Sequence, residues 1–205
     1  MQFIDFKQNL NKFIVFSLAD IRKVQADFDL RRLSEWQDKN YIKMIRRGYY
    51  IFSDFKIDEQ ILFIIANKIY SPSYISSEMA LRYYNLIPES VYELTSVSSE
   101  KTNSFKNDLG QFSYRHLKPE LMFGYQIIRH SGHGFKIAEI EKAILDFFYL
   151  NPYLKKDDDF EGLRINSEEL KSQLDKDKFF AYLEAFNNKS LEKRIKKFFK
   201  HIKYA

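Results

Sequence analysis

The side chains best suited to reading another molecule lie between Arg31 and Arg47. Arg31, Arg32, Ser34, Gln37 and Lys39 fall in one short stretch, and Lys43, Arg46 and Arg47 follow closely. Guanidinium and ammonium groups neutralise phosphates, while hydroxyl and amide groups bond to base edges, so this mixture suits recognition of double-stranded DNA. Glu35 and Asp38 interrupt it. Acidic groups repel phosphates and must accept from cytosine amino groups, pair with a neighbouring arginine, or lie outside the contact. At 100° per residue with Leu33 inward, Leu30 and Trp36 fall within roughly 60° of it. Arg31, Ser34, Glu35 and Asp38 then point outward, with Arg32 and Lys39 on the flanks. Reversing the charges of Arg31, Arg32 and Arg46 is expected to abolish DNA binding without unfolding the protein.

Bond-making chemistry is harder to find. There is no Gly-rich phosphate loop, no G-x-S-x-G and no H-E-x-x-H. His130 and His133 straddle Gly132 and lack an obvious third ligand for a metal. Asp157-Asp158-Asp159 reads as part of a solvated acidic loop. Lys142 and Asp146 are spaced as an i,i+4 ion pair with a structural role. Glu141 and Asp146 sit too far apart around a helix to work together closely. No catalytic residue, metal site or cofactor is expected, although an enzyme acting on nucleic acid through Glu141, Asp146 or His130 is a competing reading.

The elements that must position the basic cluster are each signalled locally. Phe3, Ile4, Phe6, Leu10 and Phe13 have helical spacing, and Ile14-Val15-Phe16 is a short β-like piece. Ser17 with Asp20 forms a capping-box-like start for a helix over about 18–26. Asp27-Phe28-Asp29 reads as a turn ending in an N-cap for a helix over 30–39, burying Leu30, Leu33 and Trp36. Asn40 suits the left-handed stop. Two β-like runs, 41–46 and 49–53, flank Arg47-Gly48 as a tight hairpin. Helix, strand, helix, turn, helix and hairpin is the connectivity of a winged helix-turn-helix. A helical cluster that binds nothing is the plainer alternative, with the hairpin cations serving only to keep an edge strand soluble.

Past residue 56 the expectation is a mixed α/β domain, so the whole is α+β, divided as 1–56 and 57–205. Helices are expected over 59–70, 77–84 and 139–150, with Asn85 as a second left-handed stop. Strands over 91–98, 111–116, 125–130 and 135–137 suggest a mainly antiparallel sheet. Ser71-Pro72-Ser73 and residues 106–110 read as breaks and turns. Helices over 167–174, 176–186 and 190–203 finish the chain. The last is amphipathic, with Leu191, Ile195, Phe198, Phe199 and Ile202 facing the protein and basic residues opposite.

Composition bounds these readings. The 205 residues are 45% hydrophobic and 30% charged, which suits a globular core, and the absence of cysteine removes disulfides and thiolate metal sites. Residues 1–56 carry 11 Lys/Arg against 7 Asp/Glu, and residues 187–205 carry 7 against 1, while 57–186 are net acidic. Basic ends attract phosphate backbones or acidic partners. Nothing near Met1 reads as a signal peptide and no apolar run approaches bilayer thickness, so a cytoplasmic protein without a membrane partner is expected.

In order and spacing, several short pieces resemble the AbiEi family of antitoxins from type IV toxin–antitoxin systems. They are Phe16-Ser17-Leu18-x-Asp20, Arg32-Leu33-x-x-Trp36-Gln37-x-Lys39-Asn40-Tyr41-Ile42, and Arg46-Arg47-Gly48-Tyr49-Tyr50. Ile65-Ala66, Ser73-Tyr74-Ile75-Ser76, Ala80-Leu81-x-x-Tyr84-Asn85-Leu86-Ile87 and Ala138-x-x-Glu141-Lys142-Ala143-x-x-Asp146 follow. Asn40 and Asn85 stand where the family usually has glycine. The resemblance implies an N-terminal winged helix that binds inverted repeats in its own promoter and represses it; a palindrome suits a homodimer by symmetry, and two monomers on adjacent half-sites serve equally. It also implies a C-terminal domain that counters a nucleotidyltransferase-like toxin. A winged-helix regulator without a toxin is the alternative.

Overall fold

Six aromatic residues draw the first fifty-odd positions together. Phe6 is fully buried, 4.5 Å from the Trp36 ring and 5.5 Å from Phe16 and Phe28, with Phe3 and Phe52 completing the cluster. The structure is a computed structural model describing residues 1–88 and 93–204. Around this aromatic core run α1 (Phe3–Leu10), β1 (Phe16–Ser17), α2 (Leu18–Val24), α3 (Arg31–Asp38), β2 (Ile42–Arg46) and β3 (Tyr49–Phe52). The three strands form an antiparallel sheet in the order β1-β3-β2.

Local chemistry explains the boundaries. The Ser17 hydroxyl accepts from the Asp20 amide at 3.2 Å, and the Asp20 carboxylate accepts from the Ser17 amide at 2.9 Å. Burial pushes the Asp20 carboxyl up, but bonds from the Ser17 hydroxyl and amide and the nearby Lys68 outweigh it and hold it below the ordinary carboxylate range. Its stabilising contribution is therefore present at neutral pH and fades as pH falls through that lowered value. Ser17→Ala is expected to cost about 1 kcal/mol in urea unfolding at pH 7, with a smaller difference in acid.

Asn40 and Asn85 both take positive φ, 52° and 57°, as their positions after α3 and α5 (Ser77–Tyr83) require. Leu30 departs from expectation. It is 42% exposed, because Phe28 fills the space beside Phe6 and Trp36. Asp29 accepts from the Arg31 amide at 3.0 Å, and the helix spans Arg31–Asp38, one residue shorter at each end than expected.

The larger sheet has the order β6-β7-β5-β4-β9-β8, where β4 is Ser73–Ile75, β5 Glu93–Ser98, β6 Asn103–Asn107, β7 Gly110–His116, β8 Tyr125–His130 and β9 His133–Ala138. Pairs β5/β7 and β4/β9 are parallel and the other three antiparallel, so the sheet is mixed. Two strands were not expected. β4 is only three residues long, and β6 is a polar edge strand with one partly buried aromatic, Phe105. Val91 and Tyr92, expected to open a strand, lie outside the described residues.

Helices α4 (Glu59–Ile69), α6 (Ile140–Leu150), α7 (Asp157–Glu161), α8 (Ser167–Gln173), α9 (Lys176–Ala185) and α10 (Lys189–Tyr204) complete the fold. The acidic run expected to be a loop is α7. The Asp159 carboxylate accepts from the Lys155 and Lys156 amides at 2.8 Å each, and Phe160 is buried against Phe148 and Phe198. In α10, Leu191, Ile195 and Phe198 are buried while Lys193, Lys196, Lys197 and Lys200 are exposed. Arg194 departs from the basic face. It turns inward and donates to the carbonyls of Phe148 at 2.6 Å and Asn151 at 3.3 Å, satisfying the C-terminal end of α6. No helix among the described residues is long and apolar enough to cross a membrane.

The two clusters share a seam near the expected division at residue 56. Ile14, Val15, Ile45 and Ile51 belong to the larger core, so the small sheet is covered on both faces. The Asn107 side chain donates to the Ile45 carbonyl at 2.8 Å, linking β6 to β2.

Candidate nucleic-acid interface

A reading helix needs a buried side that fixes it and a polar side left open. In α3, Leu33 and Trp36 are buried at 3% and 5%, while Arg31, Ser34, Glu35, Asp38 and Lys39 are exposed. Over eight residues the helix is about 12 Å long, and the major groove is wide enough for the cross-section of an α-helix.

The eight sequence-derived site residues divide by what they already hold. Arg31 pairs with Asp29 at 3.1 Å, yet its side chain is 88% exposed, so the pair can be exchanged for a phosphate. Arg32 is half-buried and donates to the Met1 carbonyl. Gln37 donates back to the Leu33 carbonyl at 3.1 Å. Ser34, Lys39 and Arg47 are exposed, and Lys43 is half-buried.

Arg46 leaves the set. The register between β2 and β3 shifts between Met44 and Arg46, a bulge that turns Ile45 and Arg46 toward the same side. Its guanidinium donates to the Ile69 carbonyl and lies 4.5 Å from the Phe105 ring centre and 5.3 Å from that of Tyr70. It therefore joins the hairpin to the larger unit. Arg46→Ala is expected to lower stability by about 1–3 kcal/mol through lost cation–π contact and an orphaned carbonyl. DNA affinity measured on the remaining folded protein should change less than in Arg47→Ala.

Two cations escaped the sequence reading. Arg22 and Lys23 are exposed in the last turn of α2, the helix just before α3. If α2 and α3 act as a helix-turn-helix, whose first helix crosses the phosphate backbone, their positions are the signal that would have found them.

The other weighed groups sit elsewhere. His130 Nε2 is 2.9 Å from Asp58 Oδ2, whereas the His133 ring nitrogens face the Ser131 and Lys12 carbonyls at 2.9 and 2.8 Å. Lys142 and Asp146 are both 0% exposed. Asp146 Oδ2 accepts from Tyr74 Oη at 2.9 Å and Ser76 Oγ at 2.8 Å, and Lys142 Nζ donates to Tyr74 Oη at 2.9 Å. These groups hold α6 to β4. Glu141 accepts from the Asp175 amide at 3.0 Å and pairs with Lys178 at 2.9 Å, which ties α9 to α6.

Comparison of the chain with known protein families returns no match, and neither does comparison with curated proteins.

Proposed function

We propose that the chain is a cytoplasmic DNA-binding regulator of the AbiEi antitoxin kind, which represses its own promoter and counters a nucleotidyltransferase-like toxin. Residues 1–56 act as a winged helix-turn-helix. Helix α3 enters the major groove, Ser34 meets base edges, and Arg31 and Lys39 meet flanking phosphates. Arg22, Lys23, Lys43 and Arg47 add backbone contacts from α2 and the hairpin. Glu35 and Asp38 either accept from cytosine or lie at the edge of the contact.

The single observation that carries this reading is the open polar face of α3 on a scaffold of order α1-β1-α2-α3-β2-β3 with sheet order β1-β3-β2. The toxin-countering half rests on the sequence resemblance. Two assays separate the halves. Fluorescence anisotropy with the duplex upstream of the chain's own coding sequence should show binding well above that for a shuffled duplex. Equal affinity for the two would overturn the regulator. Co-expression with the neighbouring gene product should rescue growth, and failure of rescue with promoter binding intact would leave a regulator without a toxin.

A further inference from the structure

Helices α8, α9 and α10 leave part of their apolar surface uncovered. A groove of about 430 Å³ lies among them, and Leu174, Phe179, Phe180 and Phe199 are in its lining. The Phe199 ring centre is 5.0 Å from that of Phe179 and 6.3 Å from that of Phe180, so the three rings form one aromatic surface. Phe180 is 50% exposed, a large ring held half in water. It also lines a second hollow of about 380 Å³ over α9 and α10, so the surface continues past it to Leu183.

The charge around the groove has one sign. Among the described residues, its lining is charged only at Lys171 and Lys176. Both are exposed, and neither ammonium has a hydrogen-bond or ion-pair partner among the described residues. Glu168 and Asp177, close to them in sequence, are exposed and outside the lining, and the Asp175 carboxylate accepts from the Lys178 amide at 3.0 Å. An apolar hollow bordered by free cations is complementary to an apolar stripe bordered by carboxylates.

We propose that this groove docks an acidic amphipathic helix of another protein. Apolar side chains of that helix, spaced i, i+3, i+4 and i+7, pack beside Phe180 and Phe199, and its flanking carboxylates meet Lys171 and Lys176. A hollow of this volume favours side chains that insert over the broad face of a bilayer, and the two lysines select an acidic partner over a basic one. The surface shares no residue with the DNA contacts.

Fluorescence anisotropy of the full chain with a labelled peptide of about 16 residues, long enough to hold a helix, tests the proposal. The peptide carries Leu and Phe at the four apolar positions and Glu on the flanks, and a second peptide has Lys in place of each Glu. The acidic peptide should bind with Kd below about 100 µM, and the basic one about tenfold more weakly or worse. Phe180→Ser should weaken the acidic peptide about tenfold, with thermal unfolding close to the parent because the ring is half exposed. Lys171→Glu combined with Lys176→Glu should reverse the preference between the two peptides, a readout that a merely structural role would not give. Amide shifts of the parent on titration should centre on residues 170–180 and 199–202, which keeps the test intact if a variant unfolds. No binding of the acidic peptide, equal affinity for both peptides, indifference to Phe180→Ser, or shifts centred elsewhere would overturn the proposal. Phe180-dependent binding to phosphatidylglycerol vesicles without binding of the acidic peptide would overturn it in favour of a membrane surface.

Discussion

Asp146→Ala is expected to lower unfolding free energy by about 3–5 kcal/mol, because it strands the Lys142 ammonium in a site closed to water. The ammonium and carboxylate are both fully buried, and Tyr74 and Ser76 spend their hydroxyls on the same carboxylate. Burial pushes the Asp146 carboxyl up and the Lys142 ammonium down, each toward its neutral form, while the two charges pull each other back. The network is thus costly to break from one side and much less costly to replace as a whole. Lys142→Met combined with Asp146→Asn keeps an acceptor for Tyr74 and Ser76 and should recover at least about 2 kcal/mol of the single-variant loss. Urea unfolding followed by circular dichroism measures both. A loss under about 1 kcal/mol in Asp146→Ala, or strict additivity in the pair, would show that the network carries little.

The second large effect concerns DNA. Alanine at Arg22, Lys39 and Arg47 together should reduce the slope of log affinity against log salt by about 3, one counterion for each lost phosphate contact. Affinity should fall alike for promoter and shuffled duplexes, since these cations position the protein without reading sequence. Ser34→Ala should behave differently. It should leave the slope nearly unchanged and cost about 1–3 kcal/mol on the promoter duplex alone. A triple variant with an unchanged salt slope would move the phosphate contacts off this surface.

What the sequence made legible follows from how local each signal is. Ser17 with Asp20, Asn40, Asn85 and the Arg47-Gly48 turn each act within a few residues, and the structure has the capping box, the positive φ angles and the hairpin where they were expected. Leu30 was misread because helical phase alone cannot say that Phe28, two residues earlier, reaches the aromatic core first. Arg46 was grouped with Lys43 and Arg47 because it is basic and next to the turn, and nothing local announces the bulge that turns it to the side of Ile45. β4 and β6 were hidden for a third reason. One is too short to show a period, and the other is a polar edge with a single partly buried aromatic, so it shows no apolar alternation of its own. The same limit applies to Arg194 and Phe160, whose inward turns answer to the distant residues Phe148 and Asn151.

The most direct test places a photoreactive phenylalanine analogue at position 34 of α3 and, separately, at position 180 of α9, where Phe180 is also exposed. Both proteins are irradiated on the promoter duplex. Crosslinks to bases from position 34 and none from position 180 are the expected result. With the duplex saturated by either protein, crosslinks only from position 180, or from neither, would contradict a reading helix at α3.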